Sequence, residues 1–275
     1  MTKNTIVRIY SVSMVITIAM LFVFLYLNHN LDGGYWQDLQ QSKSALTAEY
    51  CELDQTTHFF RQTINTYSNL MYFFLGLIVV LFGIYDRKNE NKNLQNPIQR
   101  FPTISILLGG CLIYLCFGSS FFHASLTWIG QRLDMNATYS ICITLIGISL
   151  YRLIVKENKS KHLKKMFIYS IELIIIAFVQ LHLLIPGTIL LPTLILVLIV
   201  LTILNYTKNK NNYKIQLAIL SFLFVIGAFI LRTLDVKKIG CNPTSFYQGH
   251  AIWHFFTGMS TFLLYWFYRS EKAED

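Results

Sequence analysis

Three histidines in this sequence have the spacing of a metal site. His250 and His254 are four residues apart, so both imidazoles would lie on one face of a helix. His123 stands at the end of a separate apolar stretch. Three imidazoles that leave one coordination position open are typical of a catalytic zinc, which activates water and polarises a carbonyl group. The three residues therefore predict a hydrolytic Zn²⁺ site if the fold brings the two segments together.

Two other polar residues are expected at the same level as the histidines. Ser119 precedes His123 by one helical turn on the same face, and Asp134 begins the next apolar stretch. We expect both to belong to the site. Each also has a purely structural interpretation, because a serine can pack helices together and an aspartate can cap a helix N-terminus. The remaining histidines are expected at interfaces and not at the metal: His29, His58, His162 and His182.

Long apolar runs surround these residues and predict a membrane protein. Apolar residues make up 54% of the 275 residues and charged residues only 13%, against roughly 25% charged residues in soluble domains. The mean hydropathy is +0.46, and these values exclude a soluble, a disordered or a fibrous protein. A bilayer core of about 30 Å needs about 20 apolar residues of helix, because lipid offers no partner for a backbone amide. Eight stretches qualify: 6–27, 65–85, 103–122, 135–152, 166–184, 187–206, 215–232 and 249–268.

The first and sixth stretches need their own interpretation. The run at 6–27 follows two basic residues, as a signal peptide would, but it is long for one and no small-residue cleavage site follows it. We therefore expect residues 1–30 to form a retained signal-anchor helix. Pro186 and Gly187 predict a very short turn before the sixth helix, and Pro192 is expected to kink or start that helix.

The distribution of charge predicts the orientation of the bundle. With a cytoplasmic N-terminus, seventeen Lys and Arg residues lie on the cytoplasmic side and six on the outer side, as the positive-inside rule requires. The net charge of +9 therefore needs no nucleic acid as a partner. The histidine site is then expected on the outer, periplasmic or luminal, side. Residues 31–64 form an outer segment, and a tail at 269–275 is cytoplasmic like the N-terminus.

The cysteines fit this topology. Cys111, Cys116 and Cys142 lie within apolar stretches, where a thiol serves as a small apolar residue. Cys51 and Cys241 fall in two loops on the same outer side. In an oxidising compartment these two could form a disulfide, or they could remain two free thiols, because spacing alone does not establish pairing.

Several motifs together resemble the alkaline ceramidase family. They are Ser119-x-x-x-His123 followed by Leu133-Asp134, His250-x-x-x-His254 in the last stretch, the acidic segment Glu49-Tyr50-Cys51-Glu52-Leu53-Asp54, and Asn65-Thr66-Tyr67-Ser68-Asn69. The family belongs to a superfamily of seven-span membrane metal hydrolases that also includes adiponectin-type receptors. The resemblance covers about residues 48–268. It implies an all-α membrane protein, a bundle of seven transmembrane helices over 65–268 to which the N-terminal transmembrane helix is an addition.

The resemblance also implies an activity. His123, His250 and His254 would bind Zn²⁺, Asp134 would hold the attacking water and take its proton, and Ser119 would stabilise the oxyanion. The substrate would be ceramide, a membrane lipid whose amide is cleaved to sphingosine and a fatty acid. No obligatory protein partner is implied.

A calcium ion is a further implication of the resemblance. Its ligands would be Glu49, the Tyr50 carbonyl, Glu52, Asp54 and Gln62, and oxygen ligands of this kind suit Ca²⁺. Gln62 stands where the family has a glutamate, which should weaken the site, and the acidic loop could also be simply solvated. The resemblance further implies a disulfide between Cys51 and Cys241.

Two other classes of function remain open at this stage. A sibling hydrolase could apply the same zinc chemistry to another lipid amide or ester. A non-enzymatic receptor or transporter could keep the zinc for structural reasons. Transport is disfavoured because the polar residues gather at one face and no pair of discontinuous helices marks the membrane midplane.

Overall fold

The computed structural model describes residues 1–89, 96–154, 161–208 and 213–271. Residues 272–275 of the predicted tail and the side chain of His182 lie outside the described part. The described residues contain helices and loops with two isolated bridges and no β-strand. The helices are α1 Lys3–Asn30, α2 Lys43–Leu46, α3 Thr63–Ser68, α4 Leu70–Lys88, α5 Pro102–Ser125, α6 Trp128–Ile154, α7 Lys161–Leu184, α8 Gly187–Lys208, α9 Ile215–Val236 and α10 Gly249–Arg269.

Seven of the predicted membrane stretches each fall within one of these helices, and the stretch 65–85 spans α3 and α4, which only Asn69 separates. The helices confirm the all-α class. Within the described residues, six helical segments are long and apolar enough to cross a bilayer: α1, the continuous segment Thr63–Lys88, α5, α6, α8 and α9. The helices α7 and α10 are not among these six. Helix α10 carries His250 and His254. The protein is therefore a multi-pass membrane protein.

The helix boundaries correct one prediction. Helix α6 begins at Trp128, well before the predicted start at residue 135, so Asp134 lies inside the helix. It is not an N-cap. Helix α8 begins at Gly187 after a short turn, as expected, and Pro192 lies inside it.

Close helix contacts depend on glycine. Gly76 of α4 and Gly109 of α5 face each other, and a Cβ on Gly76 would lie 2.8 Å from the Gly109 carbonyl oxygen. Such small residues let backbones approach where lipid provides no hydrophobic driving force. Helix α5 then packs on α6, and α10 packs on both α9 and α4. Helix α1 packs on α4 from outside and stays mostly exposed to the surroundings.

The outer segment lies across the end of α5. Three backbone hydrogen bonds attach it there: Ser42 N to Leu126 O at 2.9 Å, Arg61 N to Ala124 O at 3.1 Å and Gln62 N to His123 O at 3.0 Å. Cys51 and Cys241 form a disulfide, so the predicted pairing is confirmed. The other cysteines are free and buried. The segment is thus tied to the helix ends that carry the histidines.

Candidate functional site

The three histidines predicted to bind a metal lie together. His123 comes from the last turn of α5, and His250 and His254 come from the first turns of α10. One potential ligand atom from each lies within 4.8 Å of the other two. The ring centroids are 4.6 to 5.2 Å apart, and all three side chains are buried. The tertiary fold therefore joins segments that are more than 120 residues apart in the chain.

The hydrogen bonds of the imidazoles leave nitrogens open toward this cluster. His123 Nδ1 lies 2.8 Å from Gln62 Oε1, and His254 Nδ1 lies 2.7 Å from Ser68 Oγ. Among the described residues, His123 Nε2 and His250 Nδ1 are buried without any hydrogen-bond partner. Buried polar atoms are rarely left unpaired in native proteins. An imidazole that bonds an outer partner through one nitrogen and leaves the other open is the usual arrangement of a zinc ligand. The donor set fits Zn²⁺.

A close contact between α5 and α6 positions Ser119 and Asp134. Gly118 faces the Leu133 carbonyl, which a Cβ on Gly118 would approach to 3.1 Å. The neighbouring side chains thereby meet, and the Ser119 hydroxyl hydrogen-bonds the Asp134 carboxylate. Both residues line a cavity of about 640 Å³ together with His250 and His254. A hydrogen-bond donor and a carboxylate thus face the same space as the imidazoles of His250 and His254.

The Tyr50 ring packs against two rings of the histidine cluster. Its ring lies 4.2 Å from the His250 ring and 5.3 Å from the His123 ring, measured between centroids. The side chain is nearly buried and lines the same cavity. The resemblance predicted a role only for the backbone carbonyl of Tyr50. Its ring is a part of the site that the sequence motifs did not indicate.

The positions predicted to bind calcium have separate partners. Glu49 accepts hydrogen bonds from Ser44 and from Arg232, the latter at 3.0 Å. Asp54 forms an ion pair with Arg61. The Gln62 side-chain oxygen is directed at His123 and not at the acidic segment.

Glu52 acts at the start of a helix. Its two carboxylate oxygens accept hydrogen bonds from the N–H groups of Ile64 and Asn65 at 2.6 and 2.8 Å. These groups belong to the first turn of α3, which carries Ser68, and a carboxylate is favourable at a helix N-terminus. Burial raises the pKa of the Glu52 carboxyl to about 7, and the two N–H groups oppose that shift.

The motif analysis missed three other residues of the site. Ser68 lies in a quoted motif, but nothing in the motif indicates that its hydroxyl contacts His254. Arg232 lines the cavity and pairs with Glu49. Asp235 accepts a hydrogen bond from Cys51 N at 3.0 Å and one from the His250 backbone. Arg232 and Asp235 could have been noticed in the sequence, because they are charged residues at the end of the apolar stretch 215–232.

A lateral groove lies beside the cavity. It has a volume of about 720 Å³ and lies between α8 and α9, lined almost wholly by apolar side chains. Pro192 and Phe229 line both the groove and the cavity. The polar site therefore adjoins an apolar passage on the side of the bundle.

The family model described as Ceramidase matches residues 42–274. No curated protein matches the chain. The matched range contains the histidines, Ser119, Asp134 and the acidic segment, whereas helix α1 lies outside it.

Proposed function

The chain belongs to the ceramidase family, and from that premise we propose that it is a zinc-dependent membrane amidase. Its substrate is ceramide or a close N-acyl sphingoid lipid, and its products are a sphingoid base and a fatty acid. The observation that carries this proposal is the cluster of three buried imidazoles with two unpartnered nitrogens, because His250 and His254 of that cluster line the same cavity as the Ser119–Asp134 pair.

Zinc would be held by the open nitrogens of His123, His250 and His254. When bound, Zn²⁺ lowers the pKa of a water to about 7 and polarises a carbonyl. Gln62 and Ser68 fix the orientation of two of the imidazoles, because each engages an Nδ1. Such outer partners typically change metal affinity or activity by about 10–100-fold when they are lost.

The remaining chemistry is assigned to Asp134 and Ser119. The Asp134 carboxylate accepts a proton from the attacking water and can return it to the amine that leaves, which is general acid–base catalysis. The Ser119 hydroxyl has one hydrogen, which it gives to the Asp134 carboxylate before the attack. Once Asp134 has taken the proton of the water, the hydroxyl can donate to the oxygen that becomes negatively charged when the amide carbonyl is attacked. A protein that kept its zinc for structure alone would have no need of this pair in the cavity wall.

The shape of the cavity supports a lipid substrate. A lipid with two hydrocarbon chains would enter sideways through the groove between α8 and α9, which leaves the amide at the level of the histidines. That level corresponds to the headgroup boundary if the site faces the outer side, as the positive-inside rule favours. Both chain termini are then cytoplasmic.

Product analysis tests the proposal directly. The purified full-length protein, reconstituted with zinc, is given ceramide labelled in the acyl chain, and free fatty acid and sphingoid base are measured. We expect both products in equal amounts. Intact ceramide together with turnover of another lipid amide or ester would contradict the substrate, and no hydrolysis of any lipid would contradict the enzyme.

Two variants test the residue roles in the same assay. Asp134→Asn and Ser119→Ala should each lose about 10²-fold or more in turnover and should keep their zinc. Ser120→Ala is the matched control, because the Ser120 hydroxyl donates to the Thr66 carbonyl instead. Activity of either site variant within a factor of two of wild type would remove that residue from the mechanism.

A further inference from the structure

The acidic segment 49–54 does not present the ligand set of a calcium site. Ca²⁺ takes six to eight oxygen ligands, and the resemblance implies that they converge from Glu49, Tyr50, Glu52, Asp54 and Gln62. The side chains of this set are directed to other groups, as described above. The predicted ligands therefore do not fit a calcium ion.

A lysine ammonium group donates hydrogen bonds to two backbone carbonyls of the segment. Lys238 Nζ donates hydrogen bonds to the Glu49 carbonyl oxygen, at 3.2 Å, and to the Tyr50 carbonyl oxygen. The Tyr50 carbonyl is the backbone ligand that the calcium prediction requires. An ammonium group that donates to two neighbouring carbonyls supplies the positive charge that a metal ion would supply there.

The backbone of Lys238 adopts a conformation that is unusual for a residue with a side chain. Its φ of 58° is in the left-handed region. Lys238 directly follows the C-cap of α9, where Lys238 N donates to Asp235 O and Ile239 N donates to Leu234 O. Glycine is the residue favoured at this position of a helix end. A side chain held in a strained conformation suggests that the side chain has a function.

Two arginines neutralise the carboxylates beside the lysine. Arg61 Nε donates to Asp54 Oδ1 at 2.7 Å and Arg61 also bonds the second oxygen, while Nη1 donates to the Ser125 carbonyl. Arg232 pairs with Glu49. Arg232 and Arg61 thus match two carboxylates of the segment, Glu49 and Asp54, while the Glu52 carboxylate accepts from the N–H groups of α3. Gln62 adds no charge where the family has a glutamate.

We propose that Lys238, Arg61 and Arg232 replace the calcium ion of the family, so that this protein holds its outer segment over the histidine cluster without bound calcium. The acidic segment, the disulfide and the Tyr50 ring keep their places because the cations belong to the chain itself. Calcium dependence is then absent from both stability and activity.

The first experiment measures calcium itself on unreduced full-length protein. Calcium is first removed with EGTA, zinc is then restored by dialysis into a calcium-free and chelator-free buffer that contains zinc, and 1 mM CaCl₂ or 1 mM MgCl₂ is added. We expect no stoichiometric calcium by elemental analysis and the same melting temperature, within about 1 °C, in both buffers. A ligand that binds only the folded state raises its stability at saturation. One calcium per chain, or a melting temperature that rises with Ca²⁺ and not with Mg²⁺, would overturn the proposal.

The second experiment replaces Lys238, the residue in the left-handed conformation. Lys238→Gly eases the backbone and removes the ammonium, so the two possible roles of the residue predict opposite signs. If Lys238 only ended the helix, the variant would be as stable as wild type or more stable. We expect the melting temperature to fall by about 3 °C or more, because a charged hydrogen-bond donor is lost. Lys237→Gln, a change at the neighbouring exposed lysine, should leave it unchanged. Neither readout depends on hydrolysis, so both stand if the proposed substrate is wrong.

Discussion

The two ends of the helix bundle treat buried polar groups in opposite ways. Helix α10 reaches both ends, with His250 and His254 in its first turns and Arg269 in its last. At a rise of 1.5 Å per residue, its 21 residues separate these groups by roughly 30 Å. One helix therefore contributes to a histidine cluster at the outer end and to an ion pair at the opposite end.

At the opposite end, the buried charges are satisfied within the protein. Arg269 donates to both carboxylate oxygens of Asp86, with one distance of 2.9 Å, and also to the Tyr265 hydroxyl. The side chains of Arg269 and Asp86 are only 2% and 0% exposed. Arg152 pairs with Glu271 in a similar way, with Nε 2.6 Å from Oε2. Every carboxylate oxygen of these two pairs has a donor.

At the outer end, two imidazole nitrogens have no partner among the described residues, although the surroundings are equally buried. Burying an unpaired polar atom costs about 1–3 kcal/mol, and the zinc proposed above would satisfy both of these nitrogens. The ion pairs at the opposite end and the open imidazoles at the outer end therefore predict different effects of substitution. Removing a partner from an ion pair should destabilise the fold, whereas removing an imidazole should remove the proposed metal.

The largest expected effect comes from removing a histidine of the cluster. His254→Ala should lose its bound zinc and reduce lipid hydrolysis by more than about 10³-fold, beyond the 10–100-fold effect of an outer partner. Metal analysis and the product assay measure the two losses. His29→Ala, at an exposed position near the end of α1, is the matched control. Stoichiometric zinc in the His254 variant would exclude it as a ligand.

The next largest effect should be on stability at the opposite end. Asp86→Asn leaves the Arg269 guanidinium buried without its countercharge, which we expect to lower the free energy of unfolding by about 3–5 kcal/mol. Zinc content of the folded fraction should not change. Thermal denaturation in detergent measures the shift, with Asp38→Asn at an exposed position as control. If the Asp86 variant lost zinc but kept its stability, the distinction between the two ends would be wrong.

A smaller effect tests the outer partner of a zinc ligand. Ser68→Ala removes the hydroxyl that lies 2.7 Å from His254 Nδ1, and we expect zinc affinity to fall by about 10–100-fold. Competition with a chelator measures this affinity. Ser149→Ala is the matched control, because Ser149 is a buried serine that bonds Tyr268 at the opposite end. Equal zinc affinity in the two variants would mean that Ser68 does not position the imidazole.

Much of this architecture could be predicted from local features of the sequence. The eight apolar stretches all became helices because the length of an apolar run decides whether a segment can satisfy its backbone in lipid. The i, i+4 spacing of His250 and His254 placed them on one face for the same local reason. The pairing of Cys51 with Cys241 followed from the resemblance and is present in the structure.

The early start of α6 shows where local reasoning failed. The segment 128–134 contains Gln131, Arg132 and Asp134. Because of these polar residues, the predicted apolar stretch began only at residue 135. They are helical nonetheless, because the cavity and the outer segment offer partners that lipid does not: Gln131 donates to Ser44 at 2.8 Å, and Asp134 meets Ser119. Hydropathy measures the cost of leaving a polar group in lipid and contains no information on such partners.

The membrane class, the positions of the helices and the candidate site residues follow from the sequence, since they depend on neighbours along the chain. Which charged groups meet depends on the three-dimensional fold. Glu49 is paired with Arg232, 183 residues away, and the carbonyl of Tyr50 is paired with Lys238, 188 residues away. Whether an acidic loop holds a metal ion or a lysine depends on what the fold places within about 3 Å of its oxygens. Residue type alone contains no such distance.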